Sequence, residues 1–219
     1  MDTFIQAIIL LVKDWDTILE LTLQHIYMSF SGVLLSILAG IPLAIIMSRN
    51  EKLAILIQTI VNAIQTIPSI ALLLVIMIFF GLGSTTAIVA LFFYSLLPII
   101  SNTYIGLKGV DKHLIEAGLA MGMTNQQLYF KVKLPLAFPI ILAGIRIATV
   151  IAIGVATIAT FVGAGGLGDW IYRGIMSTDD VKILSGSIPA ALLAISVDFF
   201  LRFVEKKSGI HLHKTKPQE

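Results

Sequence analysis

The sequence predicts an all-α polytopic membrane protein with about five transmembrane helices, its N-terminus outside and its C-terminus in the cytoplasm. Three observations carry this prediction. Of 219 residues, 57% are apolar and only 13% charged, against about 45–50% and about 25% in an average soluble domain. The few charges are separated by gaps long enough to cross a bilayer. The Lys and Arg residues, finally, gather on one side of the spans that those gaps define.

A helix needs about 20 apolar residues to cross about 30 Å of hydrocarbon, at 1.5 Å per residue. Ahead of the first gap, Phe4–Val12 is an apolar run of signal-peptide length. It lacks a basic n-region and a small-x-small cleavage site, and Asp14, Asp16 and Glu20 follow it. Residues 1–20 are therefore predicted to form a retained interfacial or partial helix rather than a cleaved signal. Between Glu20 and Arg49 stand 28 residues without an acid, Lys or Arg, and their apolar part, roughly Met28 to Met47, makes a first span. Between Lys52 and Lys108 stand 55, too many for one helix and right for two. The loop-forming cluster Gly81-Leu82-Gly83-Ser84-Thr85-Thr86 divides them, giving a second span of roughly Leu53 to Phe80 and a third of roughly Ala87 to Leu107. A fourth runs from about Leu136 to Phe161, interrupted only by Arg146. A fifth runs from about Ile183 to Phe203, interrupted only by Asp198 and Arg202. Residues 21–205 are thus the membrane domain and 206–219 a polar cytoplasmic tail.

Orientation follows from Lys and Arg, because acids hardly count in the positive-inside rule. With the N-terminus outside, the inner segments hold Arg49, Lys52, Lys108, Lys112, Lys131, Lys133, Arg202, Lys206, Lys207, Lys214 and Lys216. The outer segments hold only Lys13, Arg173 and Lys182.

Two loops stand out. The outer loop after span four opens Gly163-Ala164-Gly165-Gly166-Leu167-Gly168; four glycines in six residues favour tight turns and close backbone approach. It is not a GxGxxG dinucleotide site, since no strand precedes it. Trp170 and Tyr172, just beyond, suit the aromatic belt of the outer interface. The inner loop, residues 108–135, reads as two short helices joined near Gly122. Thr124 and Gln127 make the Thr-x-x-Gln form of a capping box, and Pro135 fixes the start of span four. Ala117, Gly118, Ala120 and Gly122 offer almost no side chain. Such a surface either receives a docked partner or packs on the loop's own helices.

Composition and motifs exclude most chemistry. Cysteine is absent, so there is no disulfide, thiolate metal site or cysteine nucleophile. A net charge of +2 carries no nucleic-acid signal. There is no GxxxxGK[ST] loop for ATP, no HExxH and no GxSxG. His25 is alone near the start of span one, and His211 and His213 lie in the tail, without partners at metal-ligand spacing. No catalytic residue and no metal site are predicted.

Prolines and polar residues inside the spans are more informative. Pro42, Pro68, Pro98 and Pro139 lie within or at the ends of spans, where neighbours or cavity water satisfy freed carbonyls. Around Pro68 stand Asn62, Gln65, Thr66 and Ser69; around Pro98 stand Ser95, Ser101 and Asn102. A translocation path needs polar groups beside broken helices, and so does interhelical hydrogen bonding. On the path reading, Gln65, Thr66, Pro68, Ser69 and Asn102 form the lining. Arg146 and Asp198 lie at depths that let them pair within the membrane, although Arg202 sits at i+4 from Asp198 and competes for it.

The inner loop also carries a family resemblance. Glu116-Ala117-Gly118, then Gly122, then nine residues, then Val132-Lys133-Leu134-Pro135 is similar to the EAA loop of permease subunits of bacterial binding-protein-dependent ABC importers. Gly118 replaces the second alanine of that pattern and Val132 its isoleucine. Gln65-Thr66-Ile67-Pro68-Ser69-Ile70-Ala71-Leu72, Leu97-Pro98-Ile99 with Asn102-Thr103-Tyr104, Ala143-Gly144-Ile145-Arg146 and Val162 to Gly168 resemble the glycine betaine/carnitine/choline branch. The likeness covers roughly Leu21 to Glu205.

This resemblance implies a type I ABC importer permease fold in the bacterial plasma membrane. It implies a pathway for quaternary-amine osmoprotectants, coupled through residues 116–135 to two cytoplasmic ATPase subunits that bind ATP and Mg. A second permease subunit, the same chain or another, and an external substrate-binding protein would complete the assembly. The chain itself would need no cofactor and would not be an enzyme. Two alternatives remain: a permease for another small solute such as an amino acid, and a secondary transporter subunit, which would usually display a coupling carboxylate or inverted repeats.

Overall fold

The computed structural model describes residues 2–208. Among these the secondary structure is helical, in the order α1 (Asp2–Lys13), α2 (Trp15–Met47), α3 (Glu51–Thr66), α4 (Ser69–Phe80), α5 (Ser84–Lys108), α6 (Lys112–Ala120), α7 (Asn125–Leu128), α8 (Leu134–Ala156), α9 (Leu167–Met176) and α10 (Asp180–Lys207). A π-turn, Tyr129–Lys133, joins α7 to α8, and a 3-10 segment, Thr157–Val162, extends α8 outward. His211 and His213, with the tail from residue 209 on, lie outside the described residues.

Helices α2, α5 and α8 form the centre, and α10 closes on α8. Lipid supplies no hydrophobic drive between helices, so contact depends on small residues that admit a neighbouring backbone. A Cβ at Gly32 would stand 2.7 Å from that of Leu91, and one at Gly144 would stand 2.8 Å from the Pro98 carbonyl oxygen. Around these crossings Met28, Leu91, Ala152 and Ala156 are buried in one cluster, with Ala164 packed beside it. Ala44, Met47, Leu96 and Ile100 are buried in a second cluster, with Tyr104 packed beside it. Ser36 ties two of the helices, donating to Gly32 O (2.9 Å) within α2 and to Phe92 O (2.8 Å) on α5.

Four stretches are each long and apolar enough to cross a membrane: Trp15–Met47, Ser84–Lys108, Asn125–Val162 and Asp180–Lys207. The expected second span differs. Its two halves, α3 and α4, pass that test only together and are bent by 100°. The cause is Pro68, which has no N–H and pushes the preceding residue out of the helical region. Ile67 is accordingly extended, at φ −69° and ψ 128°.

The first 20 residues also divide differently. The break falls at Asp14, and Trp15–Glu20 belong to α2, whose 33 residues reach about 50 Å. A charge-free gap marks only the hydrocarbon part of a helix, and Asp16 and Glu20 extend it without breaking it. Helix α1 lies against α10, with Ala7 fully buried and Phe4, Ile5, Ile8, Ile9 and Val12 exposed.

Trp170 does not occupy an aromatic belt. It is 7% exposed, its indole N–H donates to Ser185 Oγ at 2.9 Å, and Lys182 Nζ stands 4.6 Å from the ring centre. Nearby, Tyr172 packs edge-on against Phe161 at 5.4 Å.

Candidate coupling surface and translocation path

The inner loop is built by local rules. Asp111 caps α6, accepting from the His113 N–H at 2.9 Å. At the other end Gly122 has φ +80°. Its N–H donates to Leu119 O (2.9 Å) and that of Met123 to Gly118 O (3.1 Å). That pair of bonds is a Schellman motif, whose left-handed position favours glycine. Thr124 then opens α7 with both halves of the capping box formed. A π-turn follows, closed by Leu134 N–H to Tyr129 O, immediately before Pro135. From α7 onward the chain runs without interruption into α8, while the turn at Gly122 sets α6 off from it.

Four residues of the EAA pattern come together in space. Ala117, Gly118, Val132 and Pro135 line one groove of about 360 Å³ with Leu114 and Met121. Glu116 and Ala117 are exposed, while Val132 and Leu134 are half-buried. Gly118 faces inward: a Cβ there would stand 2.6 Å from Leu128 Cδ1. Within the small-residue stripe the two residues differ in placement. Gly118 closes the loop on itself, and Ala117 leaves an outer face free.

Around the Pro68 break the structure groups Gln65, Thr66 and Ser69, of which Thr66 Oγ1 donates to Ala63 O at 2.7 Å. The extended Ile67 frees a carbonyl that a helix would have used, and the buried Tyr94 hydroxyl on α5 donates to it. Asn102 is not part of this group. Its Nδ2 donates to Pro98 O at 2.8 Å, and it packs where α5 meets Gly144 of α8. Eight residues past Tyr94, it lies about 12 Å along α5 from the break. Tyr94 itself was unmarked in the sequence, where it is one tyrosine within an apolar span.

Arg146 Nη1 donates to Asp198 Oδ1 at 2.8 Å and Arg146 Nε to Glu205 Oε2 at 3.0 Å. Arg202 stands 3.9 Å from Asp198 and is a distant second partner. Glu205 was missed because it falls at the boundary of the polar tail. Its spacing of seven from Asp198, two helical turns on one face of α10, is the signal that could have found it. The outer glycine loop is locked in turn by α2: Gly166 N–H donates to Gln24 Oε1 at 3.1 Å, with Gly163, Gly165 and Gly166 all at positive φ. Beside it His25 is fully buried, its Nε2 2.9 Å from Ile153 O.

Residues 32–209 match the family described as binding-protein-dependent transport system inner membrane component. The chain belongs to that family. Carnitine transport permease protein OpuCD of Listeria monocytogenes is 46% identical over 218 residues, 99% of this chain and 98% of its own. The glycine betaine/carnitine/choline transport system permease protein OpuCD of Bacillus subtilis (strain 168) is 48% identical over 184 residues, 84% and 80% of the two chains. Among solved structures, an inward-facing MetNI methionine ABC transporter superposes with a TM-score of 0.79 at 25% identity, covering 88% of this permease and 96% of that chain. The permease is thus a multi-pass inner-membrane transport component with the fold of type I ABC importer permeases.

Proposed function

We propose that this permease forms the translocation pathway of an ATP-driven importer for quaternary-amine osmoprotectants such as carnitine, choline and glycine betaine. The observation that carries the substrate class is the identity of 46–48% to permeases of carnitine and of glycine betaine/carnitine/choline systems. The likeness to a methionine transporter is 25%, which leaves the amino-acid reading second. The N-terminus is outside and the C-terminus inside, as the distribution of Lys and Arg requires.

In this reading two ATPase subunits, holding ATP and Mg, dock on the exposed face of α6 and on the groove beside Pro135. The lack of a nucleotide loop in this chain and the continuity of that groove with α8 support the assignment. A second permease completes the pore and an external binding protein delivers the solute. The solute passes beside the bend at Pro68, where Gln65, Thr66 and Ser69 supply uncharged hydrogen-bonding groups, which hold a zwitterion or cation without trapping it. Asn102, though engaged with Pro98, is retained as an inner-side lining candidate.

Arg146, Asp198 and Glu205 act as a structural clip between α8 and α10. Co-purification in mild detergent tests the assembly. An ATPase should come down with the permease, and its absence from a preparation still active in uptake would point to a secondary transporter.

A further inference from the structure

Between the inner ends of α2 and α8 lies a cavity of about 450 Å³, walled by Arg49, Asn125, Gln126, Tyr129, Phe130 and Lys133 among others. That is far more than the roughly 30 Å³ share of one water molecule. Arg49 follows the last turn of α2 and Lys133 precedes the first turn of α8, so both cations stand where two membrane-crossing helices leave the hydrocarbon. Among the described residues neither is within salt-bridge distance of a carboxylate. The Arg49 guanidinium lies 5.6 Å from the centre of the Tyr129 ring. Tyr129 is itself 8% exposed, and its hydroxyl is buried with no hydrogen-bond partner in the protein.

We propose that this cavity binds the phosphate headgroup of an anionic lipid of the inner leaflet. Two positive charges and the side-chain amides of Asn125 and Gln126 face a single concavity, which suits an anion that accepts several hydrogen bonds. The level of the cavity and its apolar edge then decide between lipid and free anion. Phe130, 65% exposed, gives acyl chains a surface to lie on, which a free phosphate does not use. Basic pockets between membrane helices on the cytoplasmic side are recognised sites for such headgroups. The cavity draws on the same 116–135 segment as the coupling groove but is a different concavity, since the groove is lined by Ala117, Gly118, Val132 and Pro135 and shares no residue with it, and it does not depend on which solute is carried.

Native mass spectrometry of the full-length permease with its co-purified subunits, offered equal amounts of phosphatidylglycerol and phosphatidylcholine, tests this. Each basic residue near the surface is worth about fivefold in binding an anionic lipid, so phosphatidylglycerol should be retained about 25-fold over phosphatidylcholine. Arg49→Gln with Lys133→Gln should erase most of that preference, while Lys206→Gln with Lys207→Gln, which removes the same charge from the inner end of α10, should keep it. Equal loss in both pairs, or no loss in the first, overturns the proposal. So does displacement of the lipid by millimolar inorganic phosphate, which would make the ligand a free anion. Binding of phosphatidylglycerol only by permease stripped of its ATPase also overturns it, because a protein segment would then fill the cavity in the assembly. Should the Arg49→Gln, Lys133→Gln protein fail to fold, Phe130→Trp reports instead, read as the signal it adds to that of the native Trp15 and Trp170. Its fluorescence should be quenched by headgroup spin-labelled phosphatidylglycerol and not by the phosphatidylcholine counterpart, and equal quenching by the two refutes the site.

Discussion

Replacing Arg146 by leucine leaves two acceptors on α10, Asp198 and Glu205, without their donor. The two bonds, 2.8 and 3.0 Å long, are charge-assisted, a class worth about 1.5–3 kcal/mol each. The side chains of Asp198 and Glu205 keep 33% and 27% of their surface exposed, so water repays part of the loss and the low end applies. Arg146→Leu should therefore cost about 3 kcal/mol, and Asp198→Leu or Glu205→Gln about half as much, since Arg146 keeps one partner in each.

The combinations are more telling than the singles. Arg146→Leu with Asp198→Leu strands only Glu205 and should recover about half of the Arg146→Leu loss. Adding Glu205→Gln should recover most of the remainder, as removing the whole half-buried ion cluster leaves no charge without its partner. Thermal unfolding of detergent-extracted permease, followed by the monodisperse fraction on size exclusion, gives the series. A triple variant as unstable as the sum of its three singles would refute the idea that the three residues act as one clip.

Four further outcomes are expected. In this cysteine-free chain, Thr17→Cys should react with an impermeant thiol reagent on intact cells and His213→Cys should not; the reverse pattern inverts the topology. Ala117→Trp adds bulk to the exposed face of α6 and should abolish ATPase co-purification without loss of membrane insertion, so wild-type uptake in that variant removes the docking claim. At Gly122, where φ is +80°, Leu should be far more damaging than Asn, which tolerates the left-handed region; equal effects would mean that bulk rather than backbone matters there. Tyr94→Phe leaves the Ile67 carbonyl unpaired at a cost of about 1–3 kcal/mol and should lower both stability and uptake, whereas unchanged kinetics would show that the Pro68 bend needs no such support.

Most of the architecture was legible because charge placement is cheap to read in a membrane protein: Lys52 and Lys108 bracket α3 to α5, and Arg49 and Lys133 mark the inner ends of α2 and α8. Local turn chemistry was equally plain, as Thr124 and Gln127 form their capping box. What the sequence hid is tertiary. Pro68 announces a break, but the 100° bend is permitted by Tyr94, which approaches from a helix 27 residues away. Asn102 looked like a neighbour of that break and is committed to Pro98 instead. Trp170 has the composition of an interfacial anchor, yet Ser185 and Lys182 give its polar edge and its face partners inside the protein. Glu205 is the last residue of the membrane domain read from the sequence and carries no signal of a partner until α10 brings it onto the face of Asp198.

The central claim is most directly tested by uptake into proteoliposomes that contain the permease, its co-purified ATPase and its external binding protein. Labelled carnitine, choline and glycine betaine are offered in turn, with methionine as the comparison solute. Accumulation of at least one quaternary amine that requires ATP, ignores an imposed proton or sodium gradient and is not competed by methionine is the result predicted here. Methionine-dependent uptake, or quaternary-amine uptake that proceeds on an ion gradient without ATP, would contradict it.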